Sequence, residues 1–563
     1  MLSFPLVDTS YGPVLGRLDP IDGIMYGVFQ GIPYAQPPIG QLRFMPPQSL
    51  SSYPGLIDAS SDDSPHCVQF VANASIPESE DCLLLNIYTP KNSDADQTSY
   101  PVLFFIHGGS LLVGGNRDFL LDGYLRNLVS RGVVVVTLQY RLGPLGWWYQ
   151  EADGFMGNYG LLDVLEALSY VRQEIAAFGG DPGEVTLMGE SAGATLVRIL
   201  NASPAAAGHF KRIILMSMPG ELYSGEAYSR ELGRLMCGGG GCSQSDLQAL
   251  SLQEIRDWTS AVFLAMPMGS VYGWGPRPEA TLISHPMTTS HAEEVLIGTT
   301  WKEMLFIEES LELKEAEEYL EMLEELIASI AVQSHNSEVV EMALRAKYVE
   351  EGASVLAALQ RPEDKAAGWA MLFYQLYSTH EFFAPTWAMA EQLSNMGARV
   401  FLYSFDYFSM QGFSQANGGS LPWYAAAVHM ADLAYLLGIN PDSFIEVQHL
   451  MPVTDSPEDQ LMITGMGEWW SSFVVNGMPE SISIGSFGWE VFQPDQNNFA
   501  SLASADSRTM WGYYPRDVPF YLSFIWPLSL EEGRCEGGGP LSIFFDRTSA
   551  AQRRQLACDM YCT

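Results

Sequence analysis

Two clusters of residues in this chain have the types and spacing for acyl-transfer chemistry. The first is Gly189-Glu190-Ser191-Ala192-Gly193, which follows the apolar run Val185-Thr-Leu-Met188 and precedes a helical pattern through Leu196, Ile199 and Leu200. A G-x-S-x-G set between a strand and a helix is the context of a nucleophile elbow. Such a turn strains the serine backbone, and the positions two before and two after it must be almost free of side chain, which glycine satisfies at 189 and 193. The helix that follows aims its N-terminal N–H groups at developing negative charge. The same five residues can also be an ordinary glycine turn; the strand and helix on either side favour the elbow. The second cluster is His107-Gly108-Gly109-Ser110, which closes the run Tyr100-Pro-Val-Leu-Phe-Phe-Ile106. Glycines at a strand end are either punctuation or a means of bringing backbone N–H groups against an oxyanion. A serine nucleophile needs such donors, so the elbow favours the second use.

Both clusters need rigid elements to hold them. Residues 102–106 and 133–138 are continuous apolar runs, as expected of strands buried on both faces of a parallel sheet. Gly157-Asn-Tyr-Gly-Leu-Leu-Asp163 opens a helix with Leu165, Leu168, Val171 and Ile175 at helical spacing, and Phe178-Gly-Gly-Asp-Pro ends it before the elbow strand. Residues 213–216, 294–297 and 400–406 continue the sheet. Strand and helix alternating in this way predict an α/β fold with a mostly parallel sheet and helices on both faces. Residues about 307–360 are acidic with leucines at helical spacing, a helical insertion. Residues about 505–563 show no clear periodicity and are read as a C-terminal extension of unknown role. The whole chain, 1–563, is read as one domain with insertions.

Composition bounds the function classes. With 66 acidic and 28 basic residues the net charge is −38. That argues against nucleic acid as a partner, since phosphate binding rests on clustered Lys and Arg. The acidity suits a solvated surface in a salty or extracellular medium; steering of cationic substrates is the sharper alternative. No apolar run reaches the roughly eighteen residues of a membrane span. Of seven cysteines, Cys67 and Cys82 flank a short polar loop and read as a disulfide. Cys237 and Cys242 bracket four glycines, and Cys535, Cys558 and Cys562 form a tail group with pairing left open. None has histidines at zinc-site spacing. Asn73-Ala-Ser and Asn201-Ala-Ser are glycosylation sequons. Together these predict a secreted protein or one of the secretory-pathway lumen, although Met1-Leu-Ser-Phe-Pro carries neither a basic n-region nor an apolar h-region.

Further motifs complete a pattern: Gly31-Ile-Pro-Tyr-Ala, Glu80-Asp-Cys-Leu-Leu-Leu-Asn, His107-Gly-Gly, Tyr140-Arg-Leu-Gly, Gly157-Asn-Tyr-Gly-Leu-Leu-Asp, Phe178-Gly-Gly-Asp-Pro and Gly189-Glu-Ser-Ala-Gly. In this order, over about residues 10–495, the set resembles the type-B carboxylesterase and cholinesterase family of α/β-hydrolases. The resemblance implies a Ser–Glu–His triad in that chain order. It makes Ser191 the nucleophile. Glu303, in Ile297-Gly-Thr-Thr-Trp-Lys-Glu, becomes the orienting carboxylate, and His429, in Ala427-Val-His-Met-Ala-Asp, the general base. The family usually has Asp-Glu-Gly around its acid, and this chain has Lys302-Glu303-Met304.

The oxyanion donors implied are the backbone N–H groups of Gly109, Ser110 and Ala192, each typically worth about 3 kcal/mol of transition-state stabilisation. Ser110 stands where much of the family has glycine, so its side chain narrows the site or adds a hydroxyl. Phe263 is a candidate lining of the acyl pocket, with plain core packing as the alternative. The loop between Cys67 and Cys82 is short and lacks tryptophan, which argues against a choline ester and against a lipase lid. The implied activity is a serine carboxylic-ester hydrolase working through an acyl-enzyme on a small-molecule ester, without metal or cofactor; the oligomeric state is left open. An acyltransferase using the same acyl-enzyme and a non-catalytic cholinesterase-like adhesion protein are the alternatives. With an ordinary imidazole at His429, activity is expected to fall as pH drops through roughly 6 to 7.

Overall fold

The computed structural model describes residues 5–525 apart from 62–63, 70–74, 91–98, 151–154, 221–242, 258–274, 278–288, 308–312, 333, 335, 442, 444–451, 485–486 and 516. Among these residues eleven strands form one sheet. In chain order they are β1 (Arg17–Ile21), β2 (Ile24–Pro33), β3 (Leu84–Pro90), β4 (Tyr100–Ile106), β5 (Val134–Leu138), β6 (Gly180–Glu190), β7 (Arg212–Met216), β8 (Glu294–Thr300), β9 (Arg399–Phe405), β10 (Asn498–Leu502) and β11 (Arg508–Trp511). Across the sheet they lie as β11-β10-β9-β8-β7-β6-β4-β5-β3-β2-β1. The stretch from β5 to β10 is parallel, and antiparallel pairs close both ends. Helices pack on both faces, as expected of an α/β fold.

The order follows from side-chain patterning. β4 and β5 carry apolar residues at almost every position and are buried throughout their middles. A strand with no polar face has nothing to offer water, so it takes the centre. β11 buries none of its residues fully and takes the edge. The helix predicted to open near Gly157 is α1 (Tyr159–Glu174), entered through Asn158 in the left-handed region at φ 57°. Here two of the motifs meet. Arg141 Nη2 and Nε donate to Asp163 Oδ1 and Oδ2 at 2.6 and 2.7 Å, with both side chains buried. Removing one partner of such a pair typically costs about 3–5 kcal/mol, so these residues fix the fold around the site. The stretch read as a helical insertion is helical and contains α3 (Ala316–Val332) and α4 (Ser337–Leu344), preceded in the chain by α2 (Ala192–Ala202), the helix after the elbow. α3 buries Tyr319, Leu323, Leu326, Ile327 and Ile330, one stripe at helical spacing.

Cys67 and Cys82 are joined as a disulfide. Asn201 requires a correction. It lies within α2, 1% exposed; its Oδ1 accepts from the backbone N–H groups of His291 and Ala292 at 3.1 and 2.9 Å, and its Nδ2 donates to Ser290 Oγ at 3.0 Å. An amide buried and engaged in this way has no room for a glycan, so the sequon at Asn201 is not a modification site. Asn73, Phe263, Cys237, Cys242, Cys535, Cys558 and Cys562 lie outside the described residues. Among the described residues no helix is long and apolar enough to cross a membrane.

Candidate active site

β6 ends at Glu190, Ser191 follows with φ 54° and ψ −125°, and α2 begins at Ala192. Positive φ in a residue with a side chain typically costs about 1–3 kcal/mol and persists only where its surroundings enforce it. The surroundings are visible. Ser191 N–H donates to Met216 O at 2.9 Å across to β7, and Ser191 O accepts from Thr195 N–H at 3.2 Å. A methyl at Gly189 would overlap the Gly193 backbone, and one at Gly193 would overlap Ile106 O. Glycine at both positions is therefore a steric requirement of the turn. Ala192 N–H, at the first position of α2, has no intrahelical acceptor and is available to an incoming charge.

The His107–Gly115 loop leaves the adjacent strand β4. Gly109, Ser110 and Leu111 have φ of 96°, 55° and 60°, three left-handed residues in succession. Leu112 and Val113 donate their N–H groups to Gly109 O at 2.9 and 3.0 Å, which closes the turn. Gly108 backs directly on the elbow, since a methyl there would lie 3.0 Å from Ser191 Cβ and 2.8 Å from Glu190 O. The loop thus brings Gly109 and Ser110 to the same strand end as Ser191 and Ala192.

Glu303 follows β8, two strands from β6, and begins a single helical turn. Its fully buried carboxylate is tightly held: Oε1 accepts from Ser217 Oγ and from Thr300 N–H, both at 2.7 Å. His429 sits in the loop after β9, and its backbone N–H donates to Glu303 O at 3.3 Å. The imidazole Nδ1 lies 2.6 Å from Glu303 Oε2, and Phe382 packs against the ring with centroids 4.9 Å apart. Nε2 makes an ion-pair contact with Glu190 Oε1 at 3.1 Å, so a buried carboxylate competes with the nucleophile for the same nitrogen. The sequence reading brought Ser191, Glu303 and His429 to this strand edge but missed two neighbours. Glu190 was legible only as the variable residue of the elbow motif. Ser217, at the end of β7 with φ 46°, carried no signal beyond its place at a strand end.

The electrostatics revise the expected pH response. Burial opposes a charged ring at His429, but Glu190 and Glu303 together outweigh it and raise its pKa to about 9. Glu190 is itself raised to about 8, chiefly by burial. A base must be unprotonated to accept the serine proton, and a raised pKa favours the imidazolium. Activity is therefore expected to fall as pH drops along a limb displaced upward from the roughly 6 to 7 of an ordinary imidazole. Glu190→Gln removes the largest single attraction, so the acid limb of kcat/KM against pH should move down. An unchanged limb would remove Glu190 from the site's electrostatics.

The carboxylesterase family model matches residues 3–520. The chain is 33% identical over 507 residues to carboxylesterase 3B of Mus musculus, covering 84% of this chain and 83% of that protein. It is 30% identical over 513 residues to carboxylesterase 3 of Pongo abelii, covering 85% and 84%. It is also 28% identical over 531 residues to neuroligin-2 of Mus musculus, covering 84% of this chain but only 61% of that protein's length.

Proposed function

We propose, from the premise that this chain belongs to the carboxylesterase family, that it is a serine carboxylic-ester hydrolase working through an acyl-enzyme on Ser191. The observation that carries this reading is the convergence of the strained Ser191, the Glu303–His429 contact and the left-handed Gly109–Leu111 turn at one end of the parallel sheet. His429 Nε2 takes the Ser191 proton as Oγ attacks the ester carbonyl. The N–H groups of Gly109, Ser110 and Ala192 hold the oxyanion, and Glu303 holds the imidazolium. The same nitrogen then protonates the departing alcohol, and on the return step it activates the water that releases the acid. No metal enters these steps. The Cys67–Cys82 disulfide supports an oxidising compartment, hence the secretory pathway or outside the cell.

The test is a fluorophosphonate titration followed by a panel of p-nitrophenyl esters of increasing acyl length, with and without an acceptor alcohol. One label per chain and release of free acid are expected. Failure of the folded protein to label would overturn the reading, and acyl transfer in preference to hydrolysis would convert it to an acyltransferase. Ser110, a side chain at an oxyanion-donor position, is expected to favour the shorter acyl groups of this panel.

A further inference from the structure

Gln69 lies two residues beyond Cys67, on the disulfide-closed loop, and is 2% exposed. Its side chain reaches the loop that carries Gly109 and Ser110. Gly114 N–H donates to Gln69 Oε1 at 3.1 Å, and Gln69 Nε2 donates to Gly114 O at 2.9 Å. One side-chain amide thus grips both polar groups of a single backbone residue. The second Nε2 proton goes to His66 Nδ1 at 2.9 Å. Burial, with His107 and Arg117 nearby, lowers the His66 pKa to about 3, so the ring is neutral, and facing the amide N–H its Nδ1 accepts. With every polar partner assigned, the amide has one orientation.

Gly114 matters because of what it touches. Its φ is 102°, and a methyl there would lie 2.8 Å from His107 Nδ1 and 2.9 Å from Gly108 O, so the residue is folded back onto the start of the loop. Between these ends run Gly109, Ser110 and Leu111, all at positive φ. Two other points are tethered from elsewhere: Tyr140 Oη donates to His107 O at 2.8 Å, and Gly143 N–H donates to Leu111 O at 2.7 Å. Just beyond Gly114, Gly115 N–H donates to Asp118 Oδ2 at 2.6 Å, a partner on the same loop, whereas Gln69 ties the distal end of the turn to a separate segment of the chain. A left-handed run of this kind persists only where its surroundings enforce it.

We propose that Gln69 is a positioning residue for the oxyanion donors, holding the Gly109 and Ser110 N–H groups toward Ser191 by clamping Gly114; this rests on the esterase reading above. The disulfide supplies the anchor, since Cys67 is fixed to Cys82 at the root of the short segment bearing Gln69. Loss of the clamp lets the donors drift without removing any group that binds substrate.

The test uses the full chain and compares wild type with Gln69→Met, which keeps the volume and deletes the hydrogen bonds; Gln69→Ala, whose space admits water, serves if the first variant does not fold. Active sites are counted by fluorophosphonate, kcat per labelled site and KM are measured on a p-nitrophenyl ester, and affinity is measured for an aryl trifluoromethyl ketone, which forms a tetrahedral adduct on serine. The expected result is kcat lower by roughly ten- to a hundred-fold, KM within about two-fold, and ketone affinity reduced in proportion to kcat. Wild-type kcat per labelled site, or fewer labelled sites with kcat unchanged, would make Gln69 merely structural and overturn the proposal while the esterase reading stands. A wild type that takes no fluorophosphonate removes the esterase reading and this inference with it.

Discussion

Ser191→Ala lowers kcat/KM for ester hydrolysis by about a million-fold and abolishes fluorophosphonate labelling. The size follows from the chemistry assigned to one oxygen. Without it no acyl-enzyme forms, and only the donors and the binding surface remain; in enzymes of this kind they retain roughly 10³- to 10⁴-fold over water. The fold should not suffer. Alanine at 191 inherits the same strained φ of 54° as serine, and Ser191 holds its neighbours through backbone groups, to Met216 O and from Thr195 N–H. Melting within a few degrees of wild type is therefore expected, and a variant that melts normally yet retains a tenth of the activity would show that Ser191 is not the nucleophile.

That prediction draws on the most legible part of the chain. The elbow can be read from residues alone because much of its steric demand is local: a methyl at Gly189 would strike the backbone of Gly193, four residues on. The central strands are legible for a similar reason, since runs such as 102–106 have no polar face to offer water. Glu303 and His429 were reached only through family resemblance. They stand on different strand ends, and nothing local says that β8 lies two strands from β6. Gln69 and Ser217 were not legible at all, because their roles consist of side-chain hydrogen bonds to distant parts of the chain. β10 and β11 escaped notice because they are short and interspersed with polar residues such as Asn498, Ser501 and Arg508. The Asn201 sequon misled in the opposite direction: a triplet pattern carries no information on burial, and this one falls inside a helix buried along its whole length.

Glu303→Gln should cost roughly 10³- to 10⁴-fold in kcat, far more than the change of one oxygen for nitrogen suggests. Glu303 Oε1 accepts two hydrogen bonds, from Ser217 Oγ and from Thr300 N–H. In the glutamine variant only the carbonyl oxygen can accept them, so the amide is forced to place its NH₂ where Oε2 was, 2.6 Å from His429 Nδ1. Facing a donor, Nδ1 must accept, and the neutral ring then carries its proton on Nε2. The nitrogen needed to receive the serine proton is already occupied. A second buried carboxylate, Asp432, provides the control. Its Oδ2 accepts from Tyr403 Oη at 2.8 Å and its Oδ1 from Leu433 N–H at 2.9 Å, so both oxygens are engaged by other groups and its charge is what reaches the ring. Asp432→Asn leaves the tautomer as it is and should keep kcat within about ten-fold of wild type. Steady-state kinetics on both variants, with fluorophosphonate titration to count sites, separate the two acids. If Asp432→Asn proved the more damaging, the orienting role would pass from Glu303 to Asp432, and the hydrogen bonds from Ser217 and Thr300 would be structural.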